Sequence, residues 1–232
     1  MSLDFSRFDV LTFDCYGTLI DWETGLLEAP RAALGPDVAT PADELLESFG
    51  RHEAAIEAGP YRSYREVLAA TLRGIGAEIG VEPSAAALAR FGGSVADWPP
   101  FGDAPAALAR LHERFRLGVI TNCDDDLFAA SARRLDTDFD WVVTAQQARR
   151  YKPNPRGFEL AFERIGLPVS RILHVAQSLY HDHVPAKRLG LSTVWVDRRA
   201  GRAGSGATPP AAATPDLVVP DLATLADLAV AA

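Results

Sequence analysis

The residues best able to do chemistry lie in four short segments. The first is Phe8-Asp9-Val10-Leu11-Thr12-Phe13-Asp14-Cys15-Tyr16-Gly17-Thr18-Leu19. Apolar and β-branched residues run up to Asp14, the pattern of a short buried strand, and Gly17 then permits a sharp turn. A carboxylate at the carboxyl end of a strand stands where open α/β sheets bind ligands. There it can attack a substrate and form an ester. The same Asp could equally cap the turn or the next helix. The second segment, Val119-Ile120-Thr121-Asn122-Cys123-Asp124, brings a hydroxyl and an amide to a strand end, where Asn122 or Asp124 would also serve as an ordinary N-cap. The third is Tyr151-Lys152-Pro153. A residue before proline is held extended. Aimed at carboxylates, Lys152 would keep them ionised; turned outward, it is a solvated surface lysine. The fourth runs from His174 to His183 and ends in His181-Asp182-His183. Consecutive side chains of a helix diverge, so these three cannot share one metal ion. One His with Asp14 and Asp182 could, although Lys152 would compete for those carboxylates.

These side chains need a frame. The chain has 232 residues, 48% hydrophobic and 23% charged, enough for one large domain or one domain with an insert. The net charge of −8 argues against a nucleic-acid surface. No apolar run reaches the ~20 residues that span a bilayer, and no basic segment precedes an apolar one at the N-terminus. Cys15 and Cys123 are too few for a disulfide framework or a four-ligand zinc site, so a cytoplasmic location with reduced thiols is expected. Cys15 reads as a small buried residue beside the nucleophile rather than a second nucleophile.

Residues 24–97 read as helices. Leu45, Phe49, His52 and Ile56 recur at helical spacing, as do Val67, Leu68, Thr71, Leu72, Ile75 and Ile79. Ser84 to Arg90 is Ala-rich, and Gly35-Pro36, Gly59-Pro60 and Glu82-Pro83 punctuate the helices. Trp98-Pro99-Pro100-Phe101-Gly102 marks an extended return. From residue 103 helix and strand alternate. Strands are expected at Leu117–Thr121, Trp141–Thr144, Ile172–Ala176, Thr193–Val196 and Leu217–Val219, with helices at Ala104–Arg114, Arg156–Ile165 and up to Leu189. That alternation means βαβ units. The expected fold is α/β, a doubly wound parallel sheet with a Rossmann-like core built from 1–23 and 98–232, and an inserted helical cap domain at 24–97. Ala200 to Pro215, rich in Gly, Ala and Pro, reads as an exposed mobile loop.

In this order and at strand ends, Asp14-Cys15-Tyr16-Gly17-Thr18, Thr121-Asn122, Lys152-Pro153 and the segment ending in Asp182 together resemble the haloacid dehalogenase superfamily. Most members are phosphatases that carry Asp-x-Asp in the first motif and Gly-Asp-Ser-x-x-x-Asp in the last, which binds magnesium. Here Tyr16 and Gln177 replace those acids, and magnesium needs hard anionic oxygens. What remains resembles the type II 2-haloacid dehalogenases, which share Asp-x-Tyr-Gly-Thr and need no metal or other cofactor. The resemblance implies a small 2-haloacid substrate. Asp14 would displace halide to form an ester, and Asp182 would activate water to hydrolyse it, with His181 as the alternative base. Lys152 would hold both carboxylates ionised. Thr18 would orient Asp14, Thr121 would hold the substrate carboxylate, Asn122 would bind halide, and Tyr16 would form a pocket wall. Gln177 and Ser178 fall in the segment that positions water. Arg51 is the expected halide receptor from the cap, with Arg62 and Arg65 as alternatives. A homodimer is a further expectation. A metal-dependent phosphatase, a ring-opening hydrolase using the same Asp14 ester, and an inactive binding protein are the competing readings.

Overall fold

The computed structural model describes residues 3–34, 40–202 and 206–231. Six strands, β1 (Val10–Phe13), β2 (Arg116–Thr121), β3 (Trp141–Thr144), β4 (Ile172–Ala176), β5 (Ser192–Val196) and β6 (Leu217–Val219), form one parallel sheet in the order β3-β2-β1-β4-β5-β6. The chain lays β2 and β3 on one side of β1 and β4 to β6 on the other. The winding therefore reverses at β1, and a crevice opens outside the carboxyl ends of its neighbours.

Burial on both faces explains the near-continuous apolar strands. Leu11, Phe13, Leu117, Val119, Leu173 and Val175 face one core, which also takes in helices α5 (Ala104–His112), α6 (Asp125–Leu135) and α10 (Leu222–Val230). Val10, Ile120, Val143 and Ile172 face the other, against α8 (Arg156–Ile165) and α9 (Val184–Arg188). A single turn, α7 (Ala145–Ala148), follows β3. Between β1 and β2 the chain makes four helices, α1 (Trp22–Leu34), α2 (Ala42–Glu57), α3 (Tyr64–Ile79) and α4 (Ala85–Gly93). Ser63 and Ser84 cap α3 and α4, and Gly59-Pro60 and Glu82-Pro83 lie in the intervening turns. Gly35-Pro36 lies outside the described residues. The helical insert is tied to the core by Asp124, whose carboxylate accepts the main-chain N–H groups of Tyr64 (2.9 Å) and Arg65 (3.2 Å). Among the described residues no helix is long and apolar enough to cross a membrane.

Two expectations need correction. After β4 the chain makes a π-helical turn, Leu179–His183, before α9, rather than one continuous helix. The segment after residue 200 is not simply exposed: Gly206, Ala207 and Thr208 are buried. They dock where Gly50 of α2 presents no side chain. A Cβ on Gly50 would stand 2.6 Å from the Ala207 carbonyl oxygen. Gly50→Ala is therefore expected to cost about 1–3 kcal/mol in overpacking, outweighing the up to ~1 kcal/mol by which Ala favours a helix. Thermal unfolding should show a Tm lowered by a few degrees; an unchanged or raised Tm would mean that the 206–208 segment does not rest on α2.

Candidate active site

Asp14 follows β1 directly, and its N–H donates to the Val175 carbonyl at 3.0 Å, so its position is set by the sheet. The chain then turns sharply. The Leu19 and Ile20 N–H groups both donate to the Cys15 carbonyl (2.7 and 3.0 Å), and Gly17 takes a φ of +90°, a conformation that favours glycine. The turn brings Thr18 back beneath Asp14. Its hydroxyl donates to Asp14 Oδ2 at 2.7 Å and accepts the Gln177 N–H at 2.9 Å.

Lys152 reaches the same point from beyond β3. Its Nζ donates to Asp14 Oδ1 (2.9 Å), Asp182 Oδ1 (2.7 Å) and the Ile120 carbonyl (2.8 Å), which uses all its protons. Asn122, just past β2, clamps the lysine main chain from both sides. Its Oδ1 accepts the Lys152 N–H at 2.7 Å, and its Nδ2 donates to the Lys152 carbonyl at 3.1 Å. Asp182 sits on the π-helical turn. Its Oδ1 also meets His174 Nε2 at 3.0 Å, and His174 Nδ1 meets the Thr12 hydroxyl at 3.0 Å. Its Oδ2 has no protein partner.

The three charged side chains are 8% (Asp14), 3% (Lys152) and 1% (Asp182) exposed. Burial works against all three charges, and mutual attraction opposes it. For Lys152, burial lowers the pKa, but Asp14 and Asp182 more than reverse this and raise it above the usual lysine value. For Asp182, burial is again opposed, by the Lys152 ammonium and the His174 hydrogen bond, which hold the carboxyl below the usual carboxylate range. Asp14 goes the other way. Burial and the neighbouring Asp182 charge raise it, against the pull of Lys152 and Thr18. Burial also pushes the Cys15 thiol up, which suits a packing residue and not a nucleophile.

Beside Asp14 lies an inner cavity of about 30 Å³, and next to it an open cavity of about 890 Å³. Tyr16, Ser178 and His181 line the inner one, as do Trp22 and Thr208. Tyr16 contributes its ring, since its hydroxyl is turned away to Ser131 (3.0 Å) and accepts from Cys123 Sγ (3.3 Å). The Ser178 hydroxyl caps the π-helical turn by accepting the His181 N–H at 2.9 Å. Burial depresses His181 to about 4, so its ring is neutral near pH 7. His183 points back to the Ala176 carbonyl at 2.9 Å, so the three consecutive residues do diverge.

Several expected site residues stand elsewhere. Arg51 lies on the exposed face of α2, paired with Glu78 at 3.3 Å, because the face of α2 that meets the core is the one carrying Leu45, Phe49 and Glu53. Arg62 is exposed, and Arg65 pairs with Asp126. The Gln177 side chain lines a different cavity, bounded by Gly17, Trp22 and Arg198, since its main chain is held by Thr18 and Trp195. Thr121 is buried at the end of β2 without a hydroxyl partner and is not part of the cavity wall. Asn122, by contrast, does line the inner cavity, with its amide bonded to the Lys152 main chain. The residues not anticipated are His174, Glu53, Glu57 and Tyr64. Glu53 accepts from the Tyr64 hydroxyl at 2.8 Å, and both glutamates line the inner cavity. A signal was present: Leu45, Phe49, Glu53 and Glu57 recur every four residues, so two acids continue an apolar stripe.

A family model described as haloacid dehalogenase-like hydrolase matches residues 8–189. Over 108 residues the chain is 31% identical to haloacid dehalogenase-like hydrolase domain-containing protein 3 of Danio rerio, covering 46% of this chain and 45% of that protein, less than half of each. It is 30% identical to an (S)-2-haloacid dehalogenase of Xanthobacter autotrophicus, covering 81% of this chain and 74% of that one. It is also 30% identical to the 5-amino-6-(5-phospho-D-ribitylamino)uracil phosphatase YigB of Escherichia coli strain K12, covering 82% and 84%. Among solved structures, L-2-haloacid dehalogenase from Xanthobacter autotrophicus with chloropropionic acid covalently bound has a TM-score of 0.79 at 22% identity, over 95% of this chain and 98% of that one, a likeness of fold. Since a dehalogenase and a phosphatase match equally well, the side chains have to discriminate.

Removing the central cation gives a direct test of the charge arrangement. Lys152→Met leaves Asp14 and Asp182 buried without a counter-charge, which should cost about 3–5 kcal/mol at neutral pH. In the variant both carboxyls titrate higher than in the unfolded chain. The penalty is therefore absent in acid and appears as pH rises through their raised values. Urea unfolding at pH 7 and near pH 4 should show the deficit shrinking on acidification. A deficit independent of pH would contradict this account.

Proposed function

The chain belongs to the haloacid dehalogenase-like hydrolases, and from that premise we propose that it hydrolyses the carbon–halogen bond of short 2-haloalkanoic acids through an ester on Asp14, without a metal ion. The observation that carries this reading is the Lys152 ammonium seated 2.9 Å from Asp14 and 2.7 Å from Asp182. A tethered cation between the two carboxylates offsets their mutual repulsion and favours the ionised forms that a nucleophile and a general base need.

The Asp14 carboxylate attacks C2 from the side opposite the halogen. The new carbon–oxygen bond forms as the carbon–halogen bond breaks, and halide departs with the electron pair. Water then adds to the Asp14 carbonyl carbon. Asp182, ionised and with Oδ2 free of protein partners, accepts its proton. The acyl carbon–oxygen bond breaks as Asp182 returns that proton to the departing alkoxide oxygen, the 2-hydroxy acid leaves, and Asp14 loses its carboxyl proton to solvent and is regenerated. The balance is one haloacid and one water converted to one hydroxy acid, one halide and one proton.

The phosphatase reading asks for a proton donor two residues after Asp14 and an acid at position 177. Tyr16 directs its hydroxyl to Ser131 and Cys123, and Gln177 faces another cavity. Both features favour displacement of a leaving group that needs no proton.

Chloride release from (S)-2-chloropropanoate should proceed unchanged in EDTA, and Asp14→Asn should reduce it at least about a thousandfold while leaving the thermal melt intact. A single turnover in ¹⁸O-water should place the label in Asp14, not in the product. Label appearing directly in 2-hydroxypropanoate, or phosphate release from a phosphoester abolished by EDTA, would overturn the ester mechanism. The rate should fall on the acid side as Asp14 protonates. Because burial raises Asp14, that fall should centre above the ordinary Asp value of 3.8. A profile flat down to that value would show that Asp14 is not the ionised group on which the rate depends.

A further inference from the structure

The wall of the inner cavity is rich in acids, and the helical insert adds two of them and, among the described residues, no cation. Asp14, Asp182, Glu53 and Glu57 all line it, and the lone cationic side chain on its wall is Lys152, among the described residues. Each ammonium proton of Lys152 is already taken, by Asp14, Asp182 and the Ile120 carbonyl. His181 is neutral near pH 7 and Arg51 is on the far face of α2. A simple 2-haloalkanoate entering here meets carboxyl groups and finds no unoccupied cation to hold its own carboxylate.

Glu57 supplies the second observation. Its side chain is 5% exposed, and its Oε1 has no hydrogen-bond partner. Its other oxygen accepts a long bond from Asn122 Nδ2, 3.4 Å, and stands 4.0 Å from His181 Nε2. A buried polar atom left unpaired destabilises the folded state, so such an atom in a cavity wall points to a partner that arrives with the ligand. Glu57 also borders the larger outer cavity, so a ligand moving inward towards Asp14 passes it. Glu53 lies one helical turn before it and keeps one oxygen engaged by the Tyr64 hydroxyl at 2.8 Å. Burial raises both acids, Glu53 to about 8, so a bound cation would draw them back towards the ionised form.

We propose that Glu53 and Glu57 form a receptor for an ammonium group on the substrate, so that the preferred substrates are short 2-haloalkanoic acids that also bear an amine. This rests on the Asp14 ester reading for the chemistry and adds the substrate class. 3-Amino-2-chloropropanoate is the simplest such molecule. Its carbon–chlorine bond is broken by Asp14 as above, chloride leaves with the pair, and hydrolysis of the ester releases 3-amino-2-hydroxypropanoate. Its ammonium offsets its own carboxylate and supplies the donors that Glu57 Oε1 lacks.

The experiment compares kcat/KM for chloride release from (S)-2-chloropropanoate and 3-amino-2-chloropropanoate, in the wild type and in Glu57→Gln and Glu53→Gln. A preference of about 10- to 100-fold for the amino compound is expected in the wild type, because a site built around a hydrogen bond rejects the analogue lacking the donor. It should collapse towards unity in Glu57→Gln, chiefly through KM. Equal use of both compounds by the wild type, or a preference that survives both substitutions, overturns the receptor. Titration calorimetry of the wild-type protein with the unreactive pair β-alanine and propanoate separates this inference from the mechanism. If neither chloro compound releases chloride, the ester reading fails. Tighter binding of β-alanine would still support the receptor, and equal or undetectable binding of both would overturn it.

Discussion

The structure depends on one buried triangle of charge, Lys152 between Asp14 and Asp182. Its members come from different strand ends: Asp14 from β1, Asp182 from the turn after β4, and Lys152 from beyond β3, its main chain clamped by Asn122 beyond β2. Only a parallel arrangement brings the carboxyl ends of neighbouring strands to one edge, so the sheet topology and the triangle require each other. A buried ion group of this kind gives little net stability, because desolvation consumes most of the Coulomb gain. Stability therefore gives little reason for its presence, whereas the free Asp182 Oδ2 at its edge suits a chemical role.

The rest of the site is shaped by what that triangle leaves undone. Lys152 neutralises one carboxylate charge and has no proton left for a ligand. Thr18 holds the Asp14 oxygen that Lys152 leaves free, whereas His174 shares Asp182 Oδ1 with Lys152 and leaves Oδ2 available. The helical insert then adds two more acids instead of a base. Two residues one turn apart on α2 thus set the character of the insert's side of the cavity, and relatives of equal identity with different activities show why overall likeness cannot set it.

The sequence was most legible where one physical rule governed a whole segment. The apolar runs gave β3, β4 and α8 at their observed bounds, because strands buried on both faces and an amphipathic helix leave unmixed patterns. The first, third and fourth motifs placed Asp14, Thr18, Lys152 and Asp182, and the structure brings these four together. Legibility failed where a residue's direction depends on a partner distant in sequence. The resemblance points to Arg51 as the halide receptor, but helix phase turns it outward while Glu53 and Glu57 line the cavity. His174 was hidden inside a strand, and its use became evident only with Asp182 and Thr12 on either side of its ring. The glycine-rich segment after residue 200 looked unstructured because nothing local shows that Ala207 rests on Gly50.

By itself, then, the sequence determined the parallel α/β frame, the helical insert after the first strand and the residues available to act at strand ends. These follow from hydrophobic periodicity and turn chemistry, which are local. Tertiary structure alone decided which oxygens are free, how many lysine protons are already taken and which acids the insert turns towards the cavity. Those quantities depend on burial and on pairings across more than a hundred residues, such as Lys152 with Asp14, and no local pattern encodes them.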